Sequence, residues 1–108
     1  MTVLTNRFLE LTELLPLFEK KSGSQIQSAA LIIAETFTSG NKVLICGNGG
    51  SAADSQHFAA EFVNSFSKSI NRRGLPAIAL TTDSSILTAI SNDSSFEKIF
   101  PGKSSLTE

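Results

Sequence analysis

The first 40 or so residues carry apolar side chains at a helical spacing. Large apolar residues recur every three or four positions and predict a helix over about 3–20. Its apolar face consists of Phe8, Leu11, Leu15 and Phe18. Because proline has no backbone N–H, Pro16 should kink or divide this helix. A second amphipathic helix is predicted over about 24–38, with Gly40 as its stop.

The hydrophobic pattern then changes from helical spacing to short continuous runs. Residues 42–46, apolar after Lys42, and residues 76–80 form short continuous apolar runs, which are typical of strands covered on both faces of a parallel sheet. A helical pattern over about 51–66 separates them. Strand, helix and strand in this order form a right-handed crossover, which makes the strands parallel. Ligands bind at the carboxyl ends of such strands, here residues 47–51 and 81–83.

The remainder of the chain predicts two short helices and a tail. One helix follows Asp83 and halts at 91–93, while Ser94 to Glu97 matches a capping box that starts another, ending before Pro101. Residues 103–108 are polar except for Leu106 and are expected to be loose. The plan is therefore N-terminal helices over 1–40, a strand–helix–strand unit over 41–100 and a tail over 101–108.

A parallel sheet of two strands leaves unpaired edges and cannot cover several amphipathic helices. Domains of this size bury a small core, and more strands or a partner are usually needed. We therefore expect the chain to be the front part of something larger, or a subunit whose missing surface comes from oligomerisation.

A glycine-rich segment joins the first predicted strand to its helix. Gly47, Asn48, Gly49, Gly50 and Ser51 follow the strand directly. Small residues let main-chain N–H groups approach a ligand, and a helix N-terminus carries positive partial charge. The segment therefore predicts an anion-binding site. The simpler alternative is a tight turn that binds nothing, in which Ser51 is only the N-cap of the helix.

Two widespread phosphate-binding motifs do not explain this segment. Gly47, Gly49 and Ala52 match the dinucleotide fingerprint, but about 20 positions later the expected acidic residue is replaced by Arg72 and Arg73. No Lys-Ser/Thr pair follows the glycines, which excludes a P-loop. We interpret the two arginines as surface charges.

The helix after the glycine segment carries an imidazole and a carboxylate four residues apart. His57 and Glu61 share one face, with Asp54 one turn earlier. Such a pair can perform acid/base chemistry or bind a divalent metal, although two ligands do not complete a metal site. The alternative is a solvated polar face. The packing face is expected on the opposite side and consists of Phe58, Phe62 and Phe66.

The composition of the chain indicates which kinds of partner it binds and in which cellular compartment it is found. The chain has 108 residues, a net charge of −1 and 41% hydrophobic residues, so no basic stripe attracts a nucleic acid. No apolar run approaches the ~18 residues of a membrane span, and no signal-peptide core is found. Cys46 has no second cysteine with which to pair and is expected to be a buried packing residue. These features predict a cytoplasmic protein that binds neither nucleic acid nor membrane.

Taken together, segments 46–54, 56–61 and 75–83, with Asn92 and Asp93, resemble the sugar isomerase (SIS) family. The resemblance implies an α/β fold, a flavodoxin-like parallel sheet flanked by helices, and a homotetramer with active sites between subunits. It also implies an aldose–ketose isomerase that converts D-sedoheptulose 7-phosphate to D-glycero-D-manno-heptose 7-phosphate, toward the heptose of lipopolysaccharide.

The family's motif assigns roles to individual residues of this sequence. Glu61 would be the catalytic acid/base, moving a proton through an enediol, and His57 and Glu61 would bind one Zn²⁺ per subunit. The remaining zinc ligands belong to a C-terminal part that is not seen in this sequence. The residues that would contact the phosphorylated sugar are Asn48, Gly49, Gly50, Ser51, Glu61, Asn92 and Asp93.

The sequence departs from the family after Phe100 and near 64–65. The family's second strand–loop–helix unit, which grips the phosphate, is not found, and an expected arginine is replaced around Asn64 and Ser65. Two alternatives to an active isomerase therefore stay open. One is a non-catalytic adaptor of the same fold that binds a bacterial replication initiator, and the other is an inactive phosphosugar-binding module.

Overall fold

The computed structural model describes residues 2–105. Along the chain the elements are helix α1 (Val3–Thr38), strand β1 (Val43–Ile45), helix α2 (Gly50–Val63), strand β2 (Ala77–Ala79), helix α3 (Ser84–Asp93), a short 3₁₀-helix (Phe96–Lys98) and helix α4 (Ile99–Ser104). They form two compact units, Met1–Glu35 and Thr36–Glu108. No helix among residues 2–105 has the length and apolar character needed to cross a bilayer.

Helix α1 is one continuous helix, so the prediction of two separate N-terminal helices was wrong. Pro16 lies inside it. The proline removes one backbone donor, whose helical acceptor would be the carbonyl of Thr12. Because Thr12 is exposed, water can satisfy that carbonyl, and the helix continues. None of the side chains of α1 is buried, and large apolar ones are exposed from Val3 to Ile32.

The two strands pair in parallel, as the strand–helix–strand pattern predicted. Val43 pairs with Ala77 and Ile45 with Ala79. Two further hydrogen bonds extend the ladder, from Val43 N to Pro76 O at 2.9 Å and from Leu80 N to Ile45 O at 2.8 Å. The strands are three residues each, shorter than the apolar runs that predicted them.

The core lies between this small sheet and the helices that follow its strands. Its buried apolar residues are Ala59, Ala77, Leu80 and Ile99. The expected coverage of the strands on both faces is not found, because Ile78 remains 38% exposed and β1 is only half-buried. Cys46 is also exposed, so its assignment as a buried packing residue was wrong.

Helix α3 begins where the sequence predicted. Asp83 is its N-cap and accepts a hydrogen bond from Ile86 N at 3.1 Å. The predicted stop before Pro101 was wrong, because α4 runs through Pro101 and buries Lys103. Proline is tolerated there because N–H groups in the first turn of a helix make no hydrogen bond within the helix, so none is lost. The loose tail expected over 103–108 was wrong for 103–105, because Lys103 and Ser104 belong to α4 and Ser105 is its C-cap. Residues 106–108 lie outside the described residues.

Candidate functional site

The glycine-rich segment makes a sharp turn between β1 and α2. A β-carbon at Gly47 would lie 2.7 Å from Ser51 Cβ and 2.8 Å from the Ser51 carbonyl carbon, so only glycine fits there. Gly49 has a φ of 57°, in the left-handed region that favours glycine. By contrast, a β-carbon at Gly49 or Gly50 would meet no atom within 4 Å. The outer side of the turn is therefore open to a ligand.

The hydrogen bonds of the turn show which amides are free to bind an anion. Ser51 N donates to Asn48 O and Ala52 N donates to Gly49 O, each at 3.0 Å. Within residues 2–105 no acceptor is found for the amides of Gly47, Asn48, Gly49 and Gly50. Gly49, rather than Ser51, is the N-cap of α2. Four consecutive amides of the predicted cradle, from Gly47 to Gly50, are thus without an internal acceptor, whereas that of Ser51 has one.

A cavity of about 320 Å³ opens beside this turn. Its walls are Gly47, Asn48, Gly49, Ala52, Thr81, Leu87, Thr88, Ser91, Phe96, Ile99 and Phe100. Thr81 ties the end of β2 to α2, because its Oγ1 donates to Ala52 O at 3.3 Å. The carboxyl ends of both strands therefore border one cavity, which is where a parallel sheet places its ligands.

His57 and Glu61 interact directly on α2. His57 Nε2 lies 2.8 Å from Glu61 Oε1. With Glu61 ionised, this distance requires Nε2 to carry the proton and donate it. The imidazole side chain is 77% exposed and the carboxylate side chain 29% exposed. The pair is therefore preformed, and the imidazole holds one oxygen of the carboxylate in a defined position.

This pair is far from the glycine turn of its own chain. At about 1.5 Å of rise per residue, the α-carbons of Gly50 and Glu61 are roughly 16 Å apart along α2. Glu61 instead lines a separate recess, together with Phe58, Phe62, Phe66 and Arg72. The carboxylate therefore does not lie beside the cradle within one copy of the chain.

The recess also corrects the predicted packing face. The three phenylalanines were expected opposite Glu61, but they share its recess. Phe62 does pack, with its ring centroid 5.0 Å from that of Phe58 and 5.2 Å from that of Phe37. Phe66, however, is 82% exposed, since α2 ends at Val63 before reaching it.

Asn92 and Asp93 lie at the C-terminal end of α3. Both are exposed, and Asn92 Nδ2 donates to Asp93 Oδ1 at 3.3 Å. Neither lines the cavity beside the glycine turn, whereas Ser91 does. The sugar-contacting roles of Asn92, Asp93, Asn48, Gly49, Gly50 and Ser51 stay predictions.

The side chains of His57 and Glu61 are of a type that binds divalent metals, but two ligands are too few for a complete site. An imidazole nitrogen and a carboxylate oxygen are ligands that zinc takes in proteins, where four ligands are usual. Over residues 2–105 no group of three or more His, Cys, Asp and Glu side chains comes together as a metal site. Zinc binding therefore stays a prediction that needs ligands from elsewhere.

Sequence reasoning missed the role of Arg72, which it interpreted as a surface charge. Arg72 Nη2 donates to Glu61 O at 2.8 Å, and Nη1 donates to Phe62 O at 2.8 Å and Arg73 O at 3.1 Å. The guanidinium thus binds the last carbonyls of α2. The sequence contains one signal for this, an arginine shortly after a helix that ends without a basic residue in its last turn.

The strand–helix–strand unit with its glycine turn defines an α/β class of ligand-binding proteins, and comparison with known sequences identifies the family. The profile of the SIS domain family matches residues 8–108. The chain therefore belongs to the SIS domain family, as the resemblance of its motifs indicated.

The chain is similar to proteins named phosphoheptose isomerase. It is 57% identical over 93 residues to that of Aquifex aeolicus, covering 86% of this chain and 48% of the relative. It is 53% identical over 88 residues to that of Geobacter sulfurreducens, covering 82% and 46%. The chain thus spans about half the length of these relatives.

Solved structures show the same likeness in three dimensions. Phosphoheptose isomerase GmhA from Neisseria gonorrhoeae matches with a TM-score of 0.80 and 39% identity, over 93% of this chain and 50% of that one. A phosphoheptose isomerase from Francisella tularensis matches with a TM-score of 0.74 and 34% identity, over 95% and 55%. The α/β fold with its parallel sheet is therefore that of the family.

Proposed function

We propose that this chain supplies part of the active site of a phosphosugar aldose–ketose isomerase. Its substrate would be D-sedoheptulose 7-phosphate and its product D-glycero-D-manno-heptose 7-phosphate. The single observation that carries the proposal is the combination of four free amides at Gly47–Gly50 with an oriented His57–Glu61 pair on the following helix. The phosphoheptose isomerases named above support it through their similarity.

The glycine turn would bind the sugar. Amides without an internal acceptor can donate to the substrate's oxygens at little cost, since no protein hydrogen bond must break first. The Asn48 side chain is exposed next to these amides and can add a donor or an acceptor. Asn92 and Asp93, at the end of α3, would hold sugar hydroxyls.

Glu61 would carry out the proton transfer. Its carboxylate would take a proton from the hydroxyl-bearing carbon next to the carbonyl, and the proton of that hydroxyl would pass to the former carbonyl oxygen, which gives the enediol stage. Glu61 would then return its proton to the former carbonyl carbon, and the first carbon would become the aldehyde. Without metal, His57 would keep the carboxylate oriented by donating from Nε2. Zn²⁺, which His57 and Glu61 would hold with ligands from outside the described residues, polarises a carbonyl when bound.

The separation of roughly 16 Å along α2 favours a site shared between copies. The glycine turn of one copy would face Glu61 of another, which agrees with a homo-oligomer, proposed here as a tetramer. The exposed apolar side chains of α1 support association, because large apolar surfaces mark protein contacts. We place the oligomer in the cytoplasm, where the exposed thiol of Cys46 stays reduced.

An isomerase assay tests the proposal. The purified chain is incubated with D-sedoheptulose 7-phosphate, with and without added zinc, and the aldose is quantified. Glu61→Gln should abolish turnover because an amide cannot accept the proton, while Glu97→Gln, at an exposed glutamate of the 3₁₀-helix, should leave it intact. Turnover that survives Glu61→Gln would exclude this mechanism. Phosphosugar binding without turnover would instead support a non-catalytic binding module.

A further inference from the structure

The C-terminal end of α2 is held by the loop that follows it. Besides the two hydrogen bonds from Arg72 to the carbonyls of Glu61 and Phe62, Leu75 N donates to Phe62 O at 3.0 Å. The loop also passes so close to the helix that a β-carbon at Gly74 would lie 2.5 Å from Val63 O. The last turn of α2 is therefore fixed from outside the helix.

Arginine suits this position for a geometric reason. The last carbonyls of a helix have no helical donors, and the C-terminus carries negative partial charge. A guanidinium is planar and offers several N–H groups in a rigid fork, so Arg72 can satisfy the carbonyls of Glu61 and Phe62 together. A lysine ammonium lacks this fork and would satisfy them less well.

We propose that Arg72 is a positioning residue for Glu61, an inference that rests on the function proposed above. Arg72 binds the main-chain oxygen of the residue whose side chain would transfer the proton. Both residues line the same recess. If the last turn frays, the α-carbon of Glu61 moves and its carboxylate loses the alignment with His57. The hydrogen bonds from Arg72 thus make the position of the Glu61 carboxylate depend on the conformation of the surface loop.

NMR of the whole chain tests this with three variants. Arg72→Lys removes the fork and retains the charge. Arg73→Lys is the matched control, since it makes the same change at the exposed neighbouring arginine. Leu80→Val shortens a buried core side chain and lowers the stability of the unit as a whole. It shows which changes result from lower overall stability alone. The readouts are amide hydrogen exchange and the carboxyl ¹³C and imidazole ¹⁵N shifts of Glu61 and His57 at one fixed pH.

In Arg72→Lys, amide exchange should become faster than in the wild type at Phe62, Val63 and Asn64. This increase should be about tenfold larger than the increase in α3, as expected for losing a charge-assisted hydrogen bond. The Glu61 carboxyl and His57 ring signals should shift in the same variant. Arg73→Lys should match the wild type. Leu80→Val should speed exchange across the unit without moving those two signals.

Unchanged Glu61 and His57 signals in Arg72→Lys, or equal shifts in Leu80→Val, would overturn the positioning role. Should Arg72→Lys not fold, Arg72→Gln, which retains two side-chain N–H donors, is measured in its place with the same criteria. Turnover of the wild-type chain is assayed separately. If the wild-type chain shows no turnover, the proposed isomerase function is wrong. The measured effect of Arg72 on the position of Glu61 would still stand.

Discussion

Replacement of Gly47 by alanine should distort the turn that forms the cradle. The new methyl group would lie 2.7 Å from Ser51 Cβ and 2.8 Å from the Ser51 carbonyl carbon and oxygen. Since the contacts include main chain of the first turn of α2, no side-chain rotation relieves them. Overpacking of this kind typically costs about 1–3 kcal/mol. At roughly 4–8 °C per kcal/mol for a domain of this size, Tm should fall by at least several degrees.

Gly50→Ala is the matched control three residues away. Its β-carbon would meet no atom within 4 Å, and Gly50 is the first residue of α2. Alanine is about 1 kcal/mol better than glycine inside a helix, so the control should be as stable as the wild type or more stable. Circular dichroism at 222 nm during urea and thermal unfolding measures both variants, since the chain has no Trp or Tyr.

The two variants also separate packing from ligand binding. Gly50→Ala places a methyl group on the open side of the turn, so it should weaken phosphosugar binding, measured by calorimetry, without loss of stability. Equal stability of Gly47→Ala and Gly50→Ala would refute the steric argument. Unchanged phosphosugar affinity in Gly50→Ala would refute the use of these amides as the binding surface.

Three further substitutions test the fold. Asp83→Ala should lower the free energy of unfolding by about 1 kcal/mol by removing the cap on Ile86 N, whereas Asp83→Asn should retain most of it; equal urea midpoints would contradict the cap. Gly74→Ala should destabilise by roughly 1–3 kcal/mol through its contact with Val63 O, whereas Gly23→Ala, with an ordinary 3.7 Å contact in α1, should not. Pro16→Ala should stabilise α1 by up to about 3 kcal/mol, seen as greater helical ellipticity at high temperature; unchanged ellipticity would show that the proline costs nothing.

Local patterns predicted most of the strand–helix–strand unit. Continuous apolar runs located β1 and β2, and parallel pairing followed from the helix between them. The cap at Asp83 was predictable because it involves an aspartate and an amide three residues away. The continuity of α1 through Pro16 was not predictable from the proline alone, since it depends on whether water can satisfy the carbonyl of Thr12.

The sequence by itself determined the glycine turn, the order of strands and helices and the pairing of His57 with Glu61, because each depends on residues a few positions apart. Tertiary structure decided that Arg72 binds the end of α2 across a loop of ten residues or so, that Glu61 shares a recess with phenylalanines, and that Cys46 is exposed. No periodicity encodes such contacts. These contacts depend on the path of the irregular loop after α2, which brings Arg72 back to the end of that helix. They also depend on the small size of the sheet, whose two strands leave the helices partly uncovered.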